Sequence, residues 1–112
     1  MTSAGEVWLV DFGEPAHHEP ADMRPAVIVG RTEQFGDRFP YVLLVPTTTT
    51  RRQFDLHVEM EPDTMNGLDQ VSYAQCELLR SVGKTRLVHR IGFAAADTMR
   101  AIDRRLRMIL DH

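Results

Sequence analysis

Arg24 is followed by Pro25 and preceded by a polar stretch holding His17, His18, Glu19 and Asp22. Proline fixes its own φ, lacks a backbone donor and pushes the residue before it out of the α region. Arg24 therefore opens a strand, its guanidinium aimed from the rim of the sheet. The run Ala26-Val27-Ile28-Val29 that follows reads as a strand buried on both faces. A second apolar run, Tyr41 to Val45, ends at Pro46 and is followed by Thr47, Thr48, Thr49 and Thr50. If the two runs form a hairpin, Arg24 and Thr47-Thr48 meet at one end of the sheet. A guanidinium beside a hydroxyl grips two non-bridging oxygens of a phosphate. The plainer alternatives are an ion pair of Arg24 with Glu19 or Asp22, and a threonine run that serves only as turn and strand edge.

Other chemistries find less support. The five histidines include the adjacent pair His17-His18, which converges poorly on one ion, and the scattered His57, His89 and His112. No Cys or His pair has zinc-site spacing, so no metal is expected. There is no Gly-rich phosphate loop and no serine in a nucleophile elbow, so no nucleotide cofactor is expected either. Cys76 is the single cysteine and lies in an apolar stretch, which reads as a buried reduced thiol.

These residues need a scaffold, and 112 residues supply one domain spanning 1–112. The stretch 5–12 reads as strand one and Gly13 to Met23 as a long, functional loop. Strand two is Arg24 to Gly30, and strand three runs from Tyr41 to Val45 and stops at Pro46. Phe54 to Met60 alternates apolar and polar residues and reads as a half-buried strand four. Val71 to Val82 reads as one long, bent fifth strand, and Lys84 to Phe93 as a short turn and closing strand. Met99, Ile102, Leu106, Ile109 and Leu110 then repeat at helical spacing, with arginines opposite. The expected fold is α+β: a small antiparallel β-barrel covered by a C-terminal α-helix.

The formal charge is −3 with 43% hydrophobic residues, an ordinary globular composition. No run approaches the roughly 18 apolar residues of a membrane span and no export signal is evident, so the cytoplasm is the expected location. Of the 13 basic residues, all but Lys84 are arginine, the side chain best shaped for phosphate.

In their order and spacing, three segments resemble the MazF/PemK toxins of bacterial type II toxin–antitoxin modules. They are Gly5 to Phe12, then Glu19-x4-Arg24-Pro25-Ala26-Val27-Ile28-Val29, then Val45-Pro46-Thr47-Thr48-Thr49. The likeness continues through Val71-Ser72, Cys76 to Val82, Lys84 to Leu87 and Asp97-Thr98-Met99, over nearly the whole chain. It implies a barrel of the SH3-like type, a homodimer, and a metal-independent endoribonuclease inhibited by an antitoxin. Carried over by position, the catalytic arginine is Arg24, the catalytic threonine Thr48, and the acid of the loop Glu19. His17 and His18 stand where many relatives have smaller residues, and either could assist proton transfer. Thr47, Arg51, Arg52, Arg80 and Arg86 would extend a track for single-stranded RNA. Trp8 and Phe12 are among the aromatic residues that could stack on bases, although Trp8 also reads as core. Glu77-Leu78 stand where relatives often carry an acid followed by glutamine. A gyrase-poisoning toxin of the CcdB type is the alternative, but its C-terminal Trp-Gly-Ile is absent.

Overall fold

The computed structural model describes residues 2–13 and 23–111. Among the described residues, seven strands and one α-helix follow each other along the chain. They are β1 (Glu6–Asp11), β2 (Met23–Ile28), β3 (Tyr41–Thr48), β4 (His57–Met60), β5 (Ser72–Gln75), β6 (Arg80–Gly83), β7 (Leu87–Phe93) and α1 (Ala96–Leu110). All pairings are antiparallel, in the order β4-β5-β3-β2-β1-β7, with β6 joined to β3. The sheet bends into a barrel-like shape of the expected type, though its path does not close.

β3 is the hub, and it corrects one sequence expectation. Pro46 does not end the strand; the strand continues through Thr48. Along its length β3 exchanges partners, pairing with β6 over Tyr41–Leu44, β2 over Leu44–Pro46 and β5 over Thr47–Thr48. Proline is tolerated where ladder partners change, because no donor is needed at that point. A second correction concerns the long fifth strand, which is two strands joined by a 3-10 turn at Cys76–Leu78. The turn lets β5 pair with the end of β3 and β6 with its beginning.

The sheet separates two apolar clusters, which explains the unbroken run in β2. Val27 packs with Val7, Val45, Met60, Ala74 and Ile102 on one face. Ala26 and Ile28 pack with Val10, Val42, Leu44 and Val82 on the other. Helix α1 buries Ile102 in the first cluster; Arg100, Arg104 and Arg107 are exposed, whereas Arg105 Nε donates to the Asp55 carbonyl at 2.9 Å. At β4 the alternating pattern misleads. The strand begins only at His57, which is buried, while Phe54 precedes it and is exposed.

Candidate functional site

Arg24 occupies the second position of β2, opposite Val10 of β1. Ala26 faces Pro46 in the β2–β3 register, and the same register carried two residues outward sets Arg24 opposite Thr48. Cross-strand partners share a face, so Arg24 and Thr48 lie on the side of Val10, at the edge of the second apolar cluster. Arg24 and Thr48 border a common cavity of about 510 Å³. The hairpin inferred from the sequence therefore exists, and it brings these two residues together.

Two threonines divide the work at this rim. Thr47 is buried, and its hydroxyl donates to the Pro25 carbonyl at 2.7 Å. That bond fastens the start of β2 to the end of β3. The Thr47 carbonyl in turn accepts a long contact from Arg24 Nη1 at 3.5 Å. Thr48 is half-buried, and its Oγ1 accepts the backbone N–H of Thr50 at 3.2 Å. A hydroxyl oxygen that already accepts keeps its own hydrogen for donation outward. Thr48 is thus set as a donor beside a guanidinium.

Arg24 also borders a second cavity of about 360 Å³, shared with Phe12, Glu77 and Arg80. The Arg80 guanidinium lies over the Phe12 ring, 5.3 Å from its centre, a cation–π contact. Arg86 closes on the same place: a Cβ built on Gly13 would lie 2.6 Å from its Nη1. Gly13 has φ of +102°, and its N–H is bonded by Asp11 Oδ1 at 2.8 Å. Two of the arginines singled out from sequence, Arg80 and Arg86, therefore flank Phe12-Gly13 next to Arg24. Arg51 stands apart and lines a cavity of about 270 Å³ with Tyr73, His57 and Arg105. Glu19, His17 and His18 lie outside the described residues.

Sequence reasoning passed over one pair. His57 Nε2 lies 2.8 Å from Glu77 Oε2, joining residues twenty positions apart; His57 lines the Arg51 cavity and Glu77 the smaller Arg24 cavity. The alternation in β4 assigned His57 outward, so no periodic signal marked it. Beside this pair, burial pushes the Cys76 thiol up to about 11, against a partial opposing pull from Arg105. It is a core group and not a nucleophile. Among the described residues, no three His, Cys, Asp or Glu side chains are gathered as a metal site would require.

Residues 3–110 match the family model for the PemK-like, MazF-like toxin of type II toxin-antitoxin system. A relative from Mycobacterium tuberculosis named endoribonuclease MazF9 is 30% identical, over 99% of this chain and 98% of its own length. Endoribonuclease MazF6 of the same species is 27% identical at the same coverage. Among solved structures, an endoribonuclease in complex with its cognate antitoxin from a mycobacterial species superposes with TM-score 0.78 at 25% identity, over 98% of this chain and 95% of that one. MazF from Deinococcus radiodurans superposes with TM-score 0.78 at 20% identity, over 99% and 97%. With the family model spanning nearly every residue, and with the Arg24–Thr48 rim in place, this chain belongs to the PemK-like, MazF-like toxins of type II toxin–antitoxin systems.

Proposed function

We propose that the chain is a metal-independent, sequence-specific endoribonuclease that cleaves single-stranded RNA and thereby inhibits translation and growth, until a cognate antitoxin neutralises it. The observation that carries the reading is the Arg24–Thr48 pair at one rim of the β2–β3 ladder, bordering an open cavity. The names of the relatives support the same activity.

RNA carries its own nucleophile. The 2′-hydroxyl attacks the adjacent phosphorus, the bond to the 5′-oxygen breaks, and the ends are a 2′,3′-cyclic phosphate and a 5′-hydroxyl. The protein must hold the sugar-phosphate in line and stabilise charge on the phosphorane. Arg24 supplies a permanent positive fork and Thr48 a fixed hydroxyl donor for those oxygens. Flexible single strands suit in-line attack better than duplex, whose geometry is set by pairing. Arg80 and Arg86 lie where a strand leaving Arg24 would meet further phosphates. Glu19, His17 and His18 are proposed to join the site from the loop between β1 and β2. The family likeness adds a homodimer, and the same rim would suit occlusion by an acidic antitoxin segment.

The test is incubation with mixed single-stranded RNA in EDTA, beside Arg24→Ala and Thr48→Ala, followed by end-group chemistry. Cyclic-phosphate and 5′-hydroxyl ends are expected with the unmodified protein. Each variant should lose activity by about 100-fold or more, as for other single donors to a developing oxyanion. Absence of cleavage on every RNA, structured transfer RNA included, would favour a toxin that poisons gyrase by binding.

A further inference from the structure

The larger cavity that Arg24 and Thr48 border has a far side that the phosphate chemistry does not use. Its floor is a row across three strands: His89 of β7 faces Leu9 of β1, and Leu9 faces Pro25 of β2. Its wall is the segment after β4, where Asp69 and Gln70 line the cavity. A volume of about 510 Å³ has room for a nucleobase.

The wall is tied down from within. Asp63 Oδ1 accepts the backbone N–H groups of Met65 and Asn66, both at 2.7 Å, and Asn66 Oδ1 accepts that of Leu68 at 3.0 Å. The Met65 carbonyl accepts the Phe93 N–H of β7 at 2.7 Å, which fastens the segment to the sheet. Just beyond, the Ser72 hydroxyl donates to the Gln70 carbonyl at 3.1 Å. The chain bends at Asp69 and Gln70, so these consecutive side chains are not sent to opposite sides as in a strand. Both are exposed, and among the described residues neither side chain makes a hydrogen bond or ion pair. A fixed backbone thus presents a carboxylate and an amide that are engaged by nothing else.

The carboxylate is the informative group. A phosphate held by Arg24 and Thr48 repels it, so Asp69 works against the binding of any anion here. It becomes favourable where N–H donors meet it. Among the four RNA bases, guanine alone offers two adjacent donors, N1–H and the N2 amino group, to match both oxygens of a carboxylate in parallel. Adenine and cytosine set a ring acceptor beside their amino group, and uracil sets its one N–H between two carbonyls. Guanine O6 then needs a donor, which the Gln70 amide supplies. Leu9 and Pro25 give an apolar floor, and His89 an aromatic face of the kind on which unstacked bases rest. We propose that this cavity is the base-reading pocket beside the cleavage point, and that Asp69, with Gln70, selects guanine there. The inference rests on the RNA-cleaving reading above and gives its sequence specificity a place in the fold. No bond is made or broken in the pocket; it seats the nucleotide next to the phosphate that Arg24 and Thr48 hold.

The experiment maps cuts in a randomised single-stranded RNA for the full chain, Asp69→Asn, Gln70→Ala and the exposed control Glu59→Gln, with folding checked by thermal melts. The unmodified protein should cut where guanine occupies one fixed position next to the cut. Asp69→Asn should lower kcat/KM on such RNA by about 10- to 100-fold, the discrimination of one bidentate pair, and relax the choice at that position alone. Gln70→Ala should relax it less. A second substrate carries inosine in place of that guanosine, which removes the N2 amino group and keeps N1–H and O6. The unmodified protein should lose about tenfold on inosine, as for one hydrogen bond to a charged group, whereas Asp69→Asn should lose almost nothing. An Asp69 that merely supports the loop would leave the inosine penalty in place in the variant, and that result would overturn the assignment. The comparison in the unmodified protein needs no folded variant, and equal cleavage of the two RNAs would overturn the assignment as well. So would cuts without guanine beside them, and in each of these cases RNA cleavage itself stands. Inactivity of the unmodified protein on every RNA would instead overturn the cleaving reading, and this inference with it.

Discussion

Thr47 and Thr48 show how far a residue's role depends on which side of a strand it occupies. Their positions after Pro46 were legible in the sequence, and so was the pairing of this rim with Arg24. Their different fates were not. Alternation puts Thr47 inside, where its hydroxyl holds the Pro25 carbonyl, and leaves Thr48 with a hydrogen to give. Cys76 was legible too, as a buried thiol in an apolar run. Burial raises it from 9.0 to about 11. The folded protein thus keeps a proton that the unfolded chain releases above its own, lower value. The stabilising contribution is complete below pH 9.0 and is lost as pH climbs to about 11. The melting temperature of the protein should therefore fall more steeply across that window than that of Cys76→Ala, and parallel curves would refute this. His57 and Glu77 were illegible for the opposite reason. Their partnership spans twenty residues and depends on where a strand starts, which propensity places poorly.

Among the elements, the stretch from Glu61 to Gln70 determines whether the larger cavity has a wall. Asn66 is buried in it. The Asn66 amide donates to the Glu61 carbonyl at 2.9 Å, and its Oδ1 accepts the Leu68 N–H at 3.0 Å. The loop then presses on β7, where a Cβ on Gly92 would strike the Met65 carbonyl and one on Gly67 the Ile91 carbonyl. Gly92→Ala forces these backbones apart, and overpacking of this kind costs about 1–3 kcal/mol. At roughly 4 °C per kcal/mol for a domain of this size, a drop in melting temperature of about 4–12 °C is expected. Because Gly67, Leu68, Asp69 and Gln70 line the cavity that Arg24 and Thr48 border, KM for RNA should rise as well. A variant with unchanged melting temperature and KM would show that the loop yields freely. The helix itself followed from its spacing, but of the apolar stripe only Ile102 is buried, while Ile109 and Leu110 are exposed. The long fifth strand did not follow, because a 3-10 turn of three residues leaves no periodic trace.

For the whole molecule, the fold class and the family were readable because order and spacing of segments survive where single motifs are weak. What could not be read was that β3 belongs to every part of the sheet at once, bonded to β6, β2 and β5 in turn. A strand shared in this way cannot be released as a whole without stripping three neighbours of partners. Amide hydrogens of β3 should consequently exchange with deuterium only through global opening, at rates set by the full unfolding free energy. Those of the following segment, Thr49 to Gln53, should exchange orders of magnitude faster. Native-state exchange across a denaturant series measures this directly, and a local, denaturant-independent exchange of β3 would contradict it. The consequence reaches to the dose of toxin a cell experiences. Thr48 ends this strand, so a form that releases β3 gives up the Arg24–Thr48 rim together with the barrel.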